Sequence, residues 1–156
     1  MAGGPPGWAW QDDAQLHITL RFIGEVERPV AEDVATALGS VRAAAVEVGL
    51  CGVGWFDQGR QGVLFARAAP RDPLEALHKK IDRVLVSAGL EPERRAYLPH
   101  ITLARRRRSS ADPSTWLEAH AALATEPNPV GAFILYQSRL GRDGPYYEPV
   151  AAFALG

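Results

Sequence analysis

The sequence LHITLRFIG at residues 16–24 and the sequence PHITLAR at residues 99–105 share the tetrapeptide His-Ile-Thr-Leu. Its two histidines, His17 and His100, are 100 − 17 = 83 residues apart, and each precedes a threonine by two positions. Both stretches are rich in β-branched residues, which favours strands. Because side chains alternate between the faces of a strand, each histidine shares a face with its threonine. The repeated motif therefore predicts two strands that are polar on one face and apolar on the other.

Two imidazoles and two hydroxyls on facing strands suit the chemistry of a phosphodiester. If both polar faces line one cleft, one neutral histidine accepts a proton from water and the other, protonated, donates to the leaving oxygen. The hydroxyls of Thr19 and Thr102 can hydrogen-bond the non-bridging phosphate oxygens, and Arg105 can add a fixed positive charge. This chemistry requires no metal. The residues leave open which histidine is the acid and which is the base.

The rest of the sequence predicts a single domain that mixes helices and strands. Helices are expected at residues 29–46, 72–88 and 114–124, and hairpins at residues 46–56 with 62–68 and 130–140 with 146–155. The order strand, helix, strand, strand occurs twice, each time from an HITL segment, which predicts two pseudo-repeated lobes. Residues 1–15, rich in Gly and Pro, are predicted to be an irregular lead-in to the domain at residues 16–156.

Composition indicates a folded chain with little overall charge. Hydrophobic residues make up 47% and charged residues 22%, and the formal net charge is −1. Any attraction to nucleic acid must therefore come from local clusters, of which residues 105–108, four consecutive arginines, are the densest. The single cysteine, Cys51, excludes an internal disulfide, and no signal peptide or long apolar run is present. We therefore expect a cytoplasmic protein that does not enter membranes.

Other histidines and aromatic residues are predicted to be structural. His78 and His120 lack a companion threonine and are expected at the surface or at the boundary of the core. Trp55, Phe56 and Phe65 are expected in the core of the middle hairpin, and the alternative is that one of them stacks on a base.

The motifs and their surroundings resemble those of the 2H phosphoesterases, whose signature is a pair of His-x-Thr/Ser-x segments. LHITLRFIGEV, PHITLAR and the ending YQSRLGRDGPYYEPVAAF are similar to the LigT-like RNA 2′,3′-cyclic phosphodiesterases within that family. The resemblance implies a bilobal α+β fold with two antiparallel-rich sheets, outer helices and a central cleft. It also implies hydrolysis of a 2′,3′-cyclic phosphate to a 2′-phosphomonoester, with an RNA-joining side activity in some members.

Carried onto this sequence, the resemblance assigns five site residues. It makes His17 and His100 the acid and base, Thr19 and Thr102 the phosphate holders, and Arg105 a phosphate contact. The implied partners are RNA ends with a 2′,3′-cyclic phosphate or cyclic nucleotides. No cofactor, metal, membrane or obligate protein partner is implied.

The amino terminus departs from the family pattern. Family members carry an apolar strand and a helix ahead of the first motif, and the sixteen residues before His17 show neither pattern. We therefore expect a shortened amino terminus that leaves a sheet edge unpaired. One alternative is a binding module of the same fold for nucleotides or RNA ends that lacks activity. Another is a metal hydrolase with His17 and His100 as ligands, which the lack of a His-x-x-x-His pair or an acidic cluster disfavours.

Overall fold

The computed structural model describes residues 4–57, 59–142 and 144–156. Its helices are α1 (Arg28–Leu38), α2 (Arg71–Ser87) and α3 (Ser114–His120). Its strands are β1 (Ala9–Trp10), β2 (Val46–Phe56), β3 (Val63–Ala69), β4 (His100–Arg105), β5 (Asn128–Val130), β6 (Ala132–Gly141) and β7 (Gly144–Ala154). They form a five-stranded sheet in the order β1-β4-β3-β2-β5 and a two-stranded sheet of β6 and β7. The predicted α+β class is confirmed.

The chain divides into two compact units, each gathered from three stretches. The first contains Met1–Thr19, Val48–Ala69 and Leu98–Pro127. The second contains Leu20–Glu47, Pro70–Tyr97 and Asn128–Gly156. The His-x-Thr parts of both motifs, which the sequence pattern assigned to different lobes, belong to the first unit.

The sheet of the first unit has one apolar face that forms its core. Strand β3 pairs antiparallel with both β2 and β4, and β1 pairs antiparallel with the other edge of β4. On the apolar face, Leu64, Ala66 and Ala104 are fully buried, and Trp8 and Trp116 pack against them. This packing leaves the opposite face of β3 and β4 to carry polar side chains.

A bulge in β4 decides which residues lie on that opposite face. Phe65 is paired with Thr102 but Leu64 with Ala104, so Leu103 has no partner on β3. The extra residue shifts the alternation of side chains by one position. Because Ala104 lies in the core, the next residue, Arg105, returns to the same face as Thr102.

The predicted strand at residues 16–24 is wrong. Within the described chain this segment forms a single isolated bridge, between Ile18 and Ile101. The backbone beyond Thr19 bonds to side chains of the second unit instead, since the carbonyl of Leu20 accepts a hydrogen bond from Nδ1 of His78 at 2.6 Å. The carbonyl of Leu20 is therefore satisfied by a side chain rather than by a neighbouring strand.

The lead-in at residues 1–15 contains more regular structure than its composition predicts. Ala9 and Trp10 form β1 opposite Arg105 and Ala104 on β4, and a 3-10 helix follows at Asp13–Gln15. Within the described chain, β1 therefore pairs with one edge of β4 along this short stretch.

The second unit contains the two longer helices and the closing hairpin. Helices α1 and α2 pack through their apolar faces, with buried residues Val34, Leu38, Leu74, Leu77, Ile81 and Leu85. The first helix ends at Leu38 rather than at the predicted residue 46, because Gly39 and Ser40 turn the chain. The second ends at Ser87, within one residue of its predicted end, and Gly89 follows it with φ of +99°. No helix in the described ranges is long and apolar enough to cross a bilayer.

His78 is buried within the second unit, whereas the sequence predicted a position at the surface or at the boundary of the core. The residue is 8% exposed, and its ring stacks on Tyr97 with centroids 4.4 Å apart. Burial raises the pKa of Tyr97 to about 12, and its buried hydroxyl has no hydrogen-bond partner among the described residues. His78 therefore has a structural role in the packing of α2.

Candidate active site

The bridge between Ile18 and Ile101 brings the two His-Ile-Thr segments side by side. Each isoleucine is the central residue of its segment, and the pairing is antiparallel. Continuing the register by one residue in each direction places His17 opposite Thr102 and Thr19 opposite His100. Residues that lie opposite each other share a face, so all four side chains project to the same side. The two histidines are then diagonal neighbours, whose Cβ atoms lie about 7 Å apart in such pairs.

The two histidine rings are held in the same way. Nδ1 of His17 lies 2.7 Å from the carbonyl oxygen of Gln15, and Nδ1 of His100 lies 2.6 Å from that of Leu98. A carbonyl oxygen accepts and never donates, so Nδ1 carries the proton in both rings. In the neutral form, Nε2 is then the nitrogen that accepts a proton. Each ring therefore presents the same atom for proton transfer, and the carbonyl that orients it lies two residues upstream in both motifs.

Aromatic side chains of the middle hairpin support the ring of His100. The centroids of Phe56 and Phe65 lie 5.3 and 5.2 Å from that of His100, both in edge-on geometry. Phe65 is buried, as predicted, whereas Phe56 is partly exposed. Gly54 makes room for this arrangement, because a Cβ there would lie 2.6 Å from the Phe65 ring. The packing restricts how the His100 ring can turn.

Arg67, which neither motif indicates, lies directly opposite His100 in the pairing of β3 with β4. Its guanidinium donates to the carbonyl of Val53 at 2.6 Å and lies over the ring of Phe65. The signal that could have indicated Arg67 is the alternation of side chains in VLFARAA. This pattern places Phe65 and Arg67 on one face and Leu64 and Ala66 on the other. A second cation therefore accompanies the four motif side chains.

The structure places Arg105 and the two threonines within reach of a ligand on this face. Arg105 is exposed, and its guanidinium forms no hydrogen bond or ion pair with the described part of the chain. The hydroxyls of Thr19 and Thr102 likewise have no hydrogen-bond partner within those ranges, and Thr19 is exposed. All five predicted site residues thus belong to one unit, and these three have donors available for an anion.

Arg106 differs from its neighbours in the run of four arginines. Its guanidinium donates to Oδ1 of Asp57 at 3.0 Å and to the carbonyl of Gly59 at 2.9 Å. It also lies over the rings of Trp8 and Trp55, at 5.7 and 5.0 Å. Arg106 therefore joins the middle hairpin to β4.

The remaining histidine and the metal alternative fall outside this site. His120 stacks on Trp116 at 4.6 Å and its Nδ1 bonds the Trp116 carbonyl, which gives it a local structural role on α3.

Among the described residues, no three His, Cys, Asp or Glu side chains group as metal ligands. A metal centre built on His17 and His100 would thus have no third ligand of these types in those ranges.

Comparison with known proteins identifies the family to which this chain is similar. The model of the 2′-5′ RNA ligase superfamily matches residues 9–142, which include both motifs. A protein of Aeropyrum pernix named RNA 2′,3′-cyclic phosphodiesterase is 33% identical over 141 residues, a match that covers 88% of this chain and 80% of that protein.

Two solved structures have the same fold. TT0787 of Thermus thermophilus matches with a TM-score of 0.79 at 27% identity, covering 96% of this chain and 83% of the other. LigT of E. coli, complexed with 3′-AMP, matches with a TM-score of 0.76 at 24% identity, covering 96% and 82%.

These matches confirm the resemblance and the fold class that the two motifs implied. The family match spans most of the chain and includes the segment before the first motif. The chain belongs to the 2′-5′ RNA ligase superfamily, that is, to the 2H phosphoesterases.

Proposed function

We propose that this protein is a cyclic phosphodiesterase that opens 2′,3′-cyclic phosphates at RNA ends or on nucleotides to 2′-phosphomonoesters. The observation that carries the proposal is the Ile18–Ile101 bridge, because its register brings two imidazoles and two hydroxyls to one face. The name of the Aeropyrum pernix relative supports the same reaction. A cytoplasmic location stays a prediction from the sequence.

In the proposed reaction, one histidine acts as base and the other as acid. The neutral Nε2 of one ring takes a proton from water, whose oxygen forms a bond to phosphorus. The bond from phosphorus to O3′ breaks, and O3′ takes the proton that the other ring carries on Nε2. The product keeps the phosphate on O2′ and has a free 3′-hydroxyl. The carbonyls of Gln15 and Leu98 hold both rings for this exchange.

The hydroxyls and arginines of the same face stabilise the added negative charge. Thr19 and Thr102 donate hydrogen bonds to the non-bridging oxygens of the phosphate. The guanidinium of Arg105 supplies two parallel, charged hydrogen-bond donors. Arg67 adds a second fixed charge next to His100. Because the cyclic phosphate is strained and these groups are positioned before it binds, the proposed mechanism uses no metal ion.

The test is turnover of 2′,3′-cyclic AMP by EDTA-treated protein, with product identified as the 2′- or 3′-monophosphate. His17→Ala and His100→Ala are each expected to lower kcat/KM by about 10²–10⁴-fold. His120→Ala is the matched control in the same unit, and its activity is expected to stay within about twofold of the wild type, as for a change outside the site.

Three results would contradict the proposal. Turnover that survives either motif substitution excludes the histidine pair. Turnover that EDTA abolishes and zinc restores favours the metal hydrolase. Binding of a 2′-phosphorylated nucleotide by wild-type protein that turns over no cyclic substrate favours the binding module.

A further inference from the structure

We propose that the turn after β4 binds the phosphates of an RNA strand whose last nucleotide occupies the active site. This turn, residues 107–110, is called the arginine turn below. The inference rests on the proposed function and narrows its substrate class from small cyclic nucleotides to RNA ends. Since a 2′,3′-cyclic phosphate forms at the 3′ end of RNA, the rest of the strand continues from the 5′ side of the bound nucleotide.

The charges at this corner of the first unit are strongly unbalanced. Four arginines line one groove there: Arg60, Arg106, Arg107 and Arg108. Arg106 is paired with Asp57. Hydrogen bonds with Ser114 and, to a smaller extent, the charge of Arg106 lower the pKa of Asp112. Against these two carboxylates the four arginines leave an excess of 4 − 2 = 2 positive charges, in a chain whose formal net charge is −1. A surface of this kind attracts a polyanion.

The excess positive charge lies on arginine side chains whose guanidinium groups form no hydrogen bond or ion pair within the described chain. Arg60, Arg107 and Arg108 are exposed, and none of them forms an ion pair or hydrogen bond through its guanidinium with a residue in the described ranges. Together with Gly59, Arg106 and Ser110 they line a groove of about 470 Å³. Binding a phosphate there breaks no ion pair between these three arginines and any residue that the structure describes.

The arginine turn is anchored before any ligand binds. The amide of Ser110 donates to the carbonyl of Arg107 at 3.1 Å and closes the turn. The hydroxyl of Ser110 donates to the carbonyl of Gly7 at 2.9 Å, and Nε1 of Trp8 donates to the carbonyl of Ala111 at the same distance. A backbone that is already ordered loses less entropy when it binds a ligand.

The distance from the histidines favours a strand over a single nucleotide. Strand β4 carries the chain from His100 to Arg105, five steps that span about 16 Å at the usual rise of a strand. The arginine turn begins two residues farther on, and a mononucleotide held at His100 does not extend that far. Arg105 lies between the two places, so cations follow β4 from the site to the groove.

The experiment compares binding and turnover for a long and a short substrate. The double variant Arg107→Ala/Arg108→Ala is tested against Arg94→Ala/Arg95→Ala, two adjacent exposed arginines of the second unit. Fluorescence anisotropy measures the Kd for a ten-nucleotide RNA that ends in a 2′-phosphate, at several salt concentrations. Turnover is measured on the same RNA with a cyclic end and on 2′,3′-cyclic AMP.

The arginine-turn variant is expected to bind the RNA about tenfold more weakly, and its slope of log K against log salt is expected to fall by about 1.4, the value for two single-strand phosphate contacts. The ratio of kcat/KM for RNA to that for cyclic AMP should fall by a similar factor, while the control pair leaves Kd, slope and ratio unchanged.

Either of two results overturns the inference: unchanged RNA binding in the arginine-turn variant, or equal losses with the control pair. Wild-type protein that binds the RNA through these arginines but hydrolyses neither substrate would instead refute the proposed function and leave the binding surface in place.

Discussion

Ile18 and Ile101 face each other across an isolated antiparallel bridge, and each is flanked by a histidine and a threonine. The pairing is symmetric, because exchange of the two segments would reproduce the same set of side chains in the same positions. The two segments nevertheless differ in secondary structure. His100 is on a six-residue strand, whereas His17 follows a 3-10 helix. One local pairing thus assembles the proposed centre from positions 83 residues apart.

Removing the hydroxyls should weaken catalysis without disturbing the fold. Thr19→Val and Thr102→Val keep the shape of the side chain and remove its donor, so each is expected to lower kcat/KM for 2′,3′-cyclic AMP by about 10- to 100-fold, as for a hydrogen bond to a charged group. Thr19→Ser and Thr102→Ser restore a donor and should recover most of the activity. Full activity in the valine variants would show that the hydroxyl is not required.

The ion pair between Arg21 and Asp82 should make the stability of the second unit depend on pH. Nε of Arg21 lies 2.6 Å from Oδ1 of Asp82, and the two side chains are 8% and 20% exposed. Partial burial raises the pKa of Asp82, but hydrogen bonds from Arg21 and from the amide of Glu93, with the charge of Arg21, outweigh it and leave the pKa lowered. Asp82→Asn is expected to cost about 2 kcal/mol of unfolding free energy at pH 7.

A lowered pKa in the folded state fixes the direction of this pH effect. The carboxylate contributes stability above its ordinary pKa of 3.8 and loses that contribution as the pH falls through the lower, folded value. Urea unfolding should therefore show the full difference between wild type and Asp82→Asn at pH 5–7 and a smaller one at pH 3. Glu32→Gln, which removes an exposed pair with Arg28, should change the unfolding free energy by less than about 0.5 kcal/mol. A difference for Asp82→Asn that grows on acidification would contradict the assignment.

A methyl group at Gly7 should disturb the arginine turn without changing any charge. Gly7 has φ of +80°, and a Cβ there would lie 2.6 Å from the carbonyl oxygen of Ser109. Gly7→Ala is expected to cost about 1–2 kcal/mol from the backbone conformation alone, in addition to the clash. It should also weaken RNA binding in the anisotropy assay.

Gly131→Ala is the control for this change, because no atom lies within 4 Å of its Cβ position. Its unfolding free energy and its RNA affinity should match those of the wild type. If Gly7→Ala unfolds at a lower temperature but keeps full RNA affinity, the anchoring of the turn does not contribute to binding.

The sequence predicted which segments the fold brings together better than it predicted their local backbone. His17, Thr19, His100 and Thr102 were selected from a repeated tetrapeptide, and the bridge between Ile18 and Ile101 sets the two copies of that tetrapeptide side by side. The strand expected around His17 did not form, since a β-branched pattern says nothing about which backbone groups have partners. The carbonyl of Leu20 bonds to His78, which lies 58 residues away along the chain.

Residues that act through cross-strand neighbours could not be found from the motif. Arg67 became part of the site because β3 pairs with β4 in one particular register. That register includes a bulge, and a bulge is set by packing on both faces rather than by a local signal. Arg106 was grouped with its neighbours by composition, and only the fold shows that Asp57 and two tryptophans hold it.

The unpaired Leu103 has an evolutionary consequence for this part of the chain. Deleting this one codon would join Thr102 directly to Ala104 and leave a regular ladder opposite Phe65 and Leu64, so Thr102 and Arg105 would still share a face. The extra residue changes the spacing of the residues on that face, because Thr102 and Arg105 are three positions apart where a regular strand would place them two apart. Relatives that keep an arginine on this face should therefore carry it three positions after the threonine where the bulge is present and two positions after it where the strand is regular.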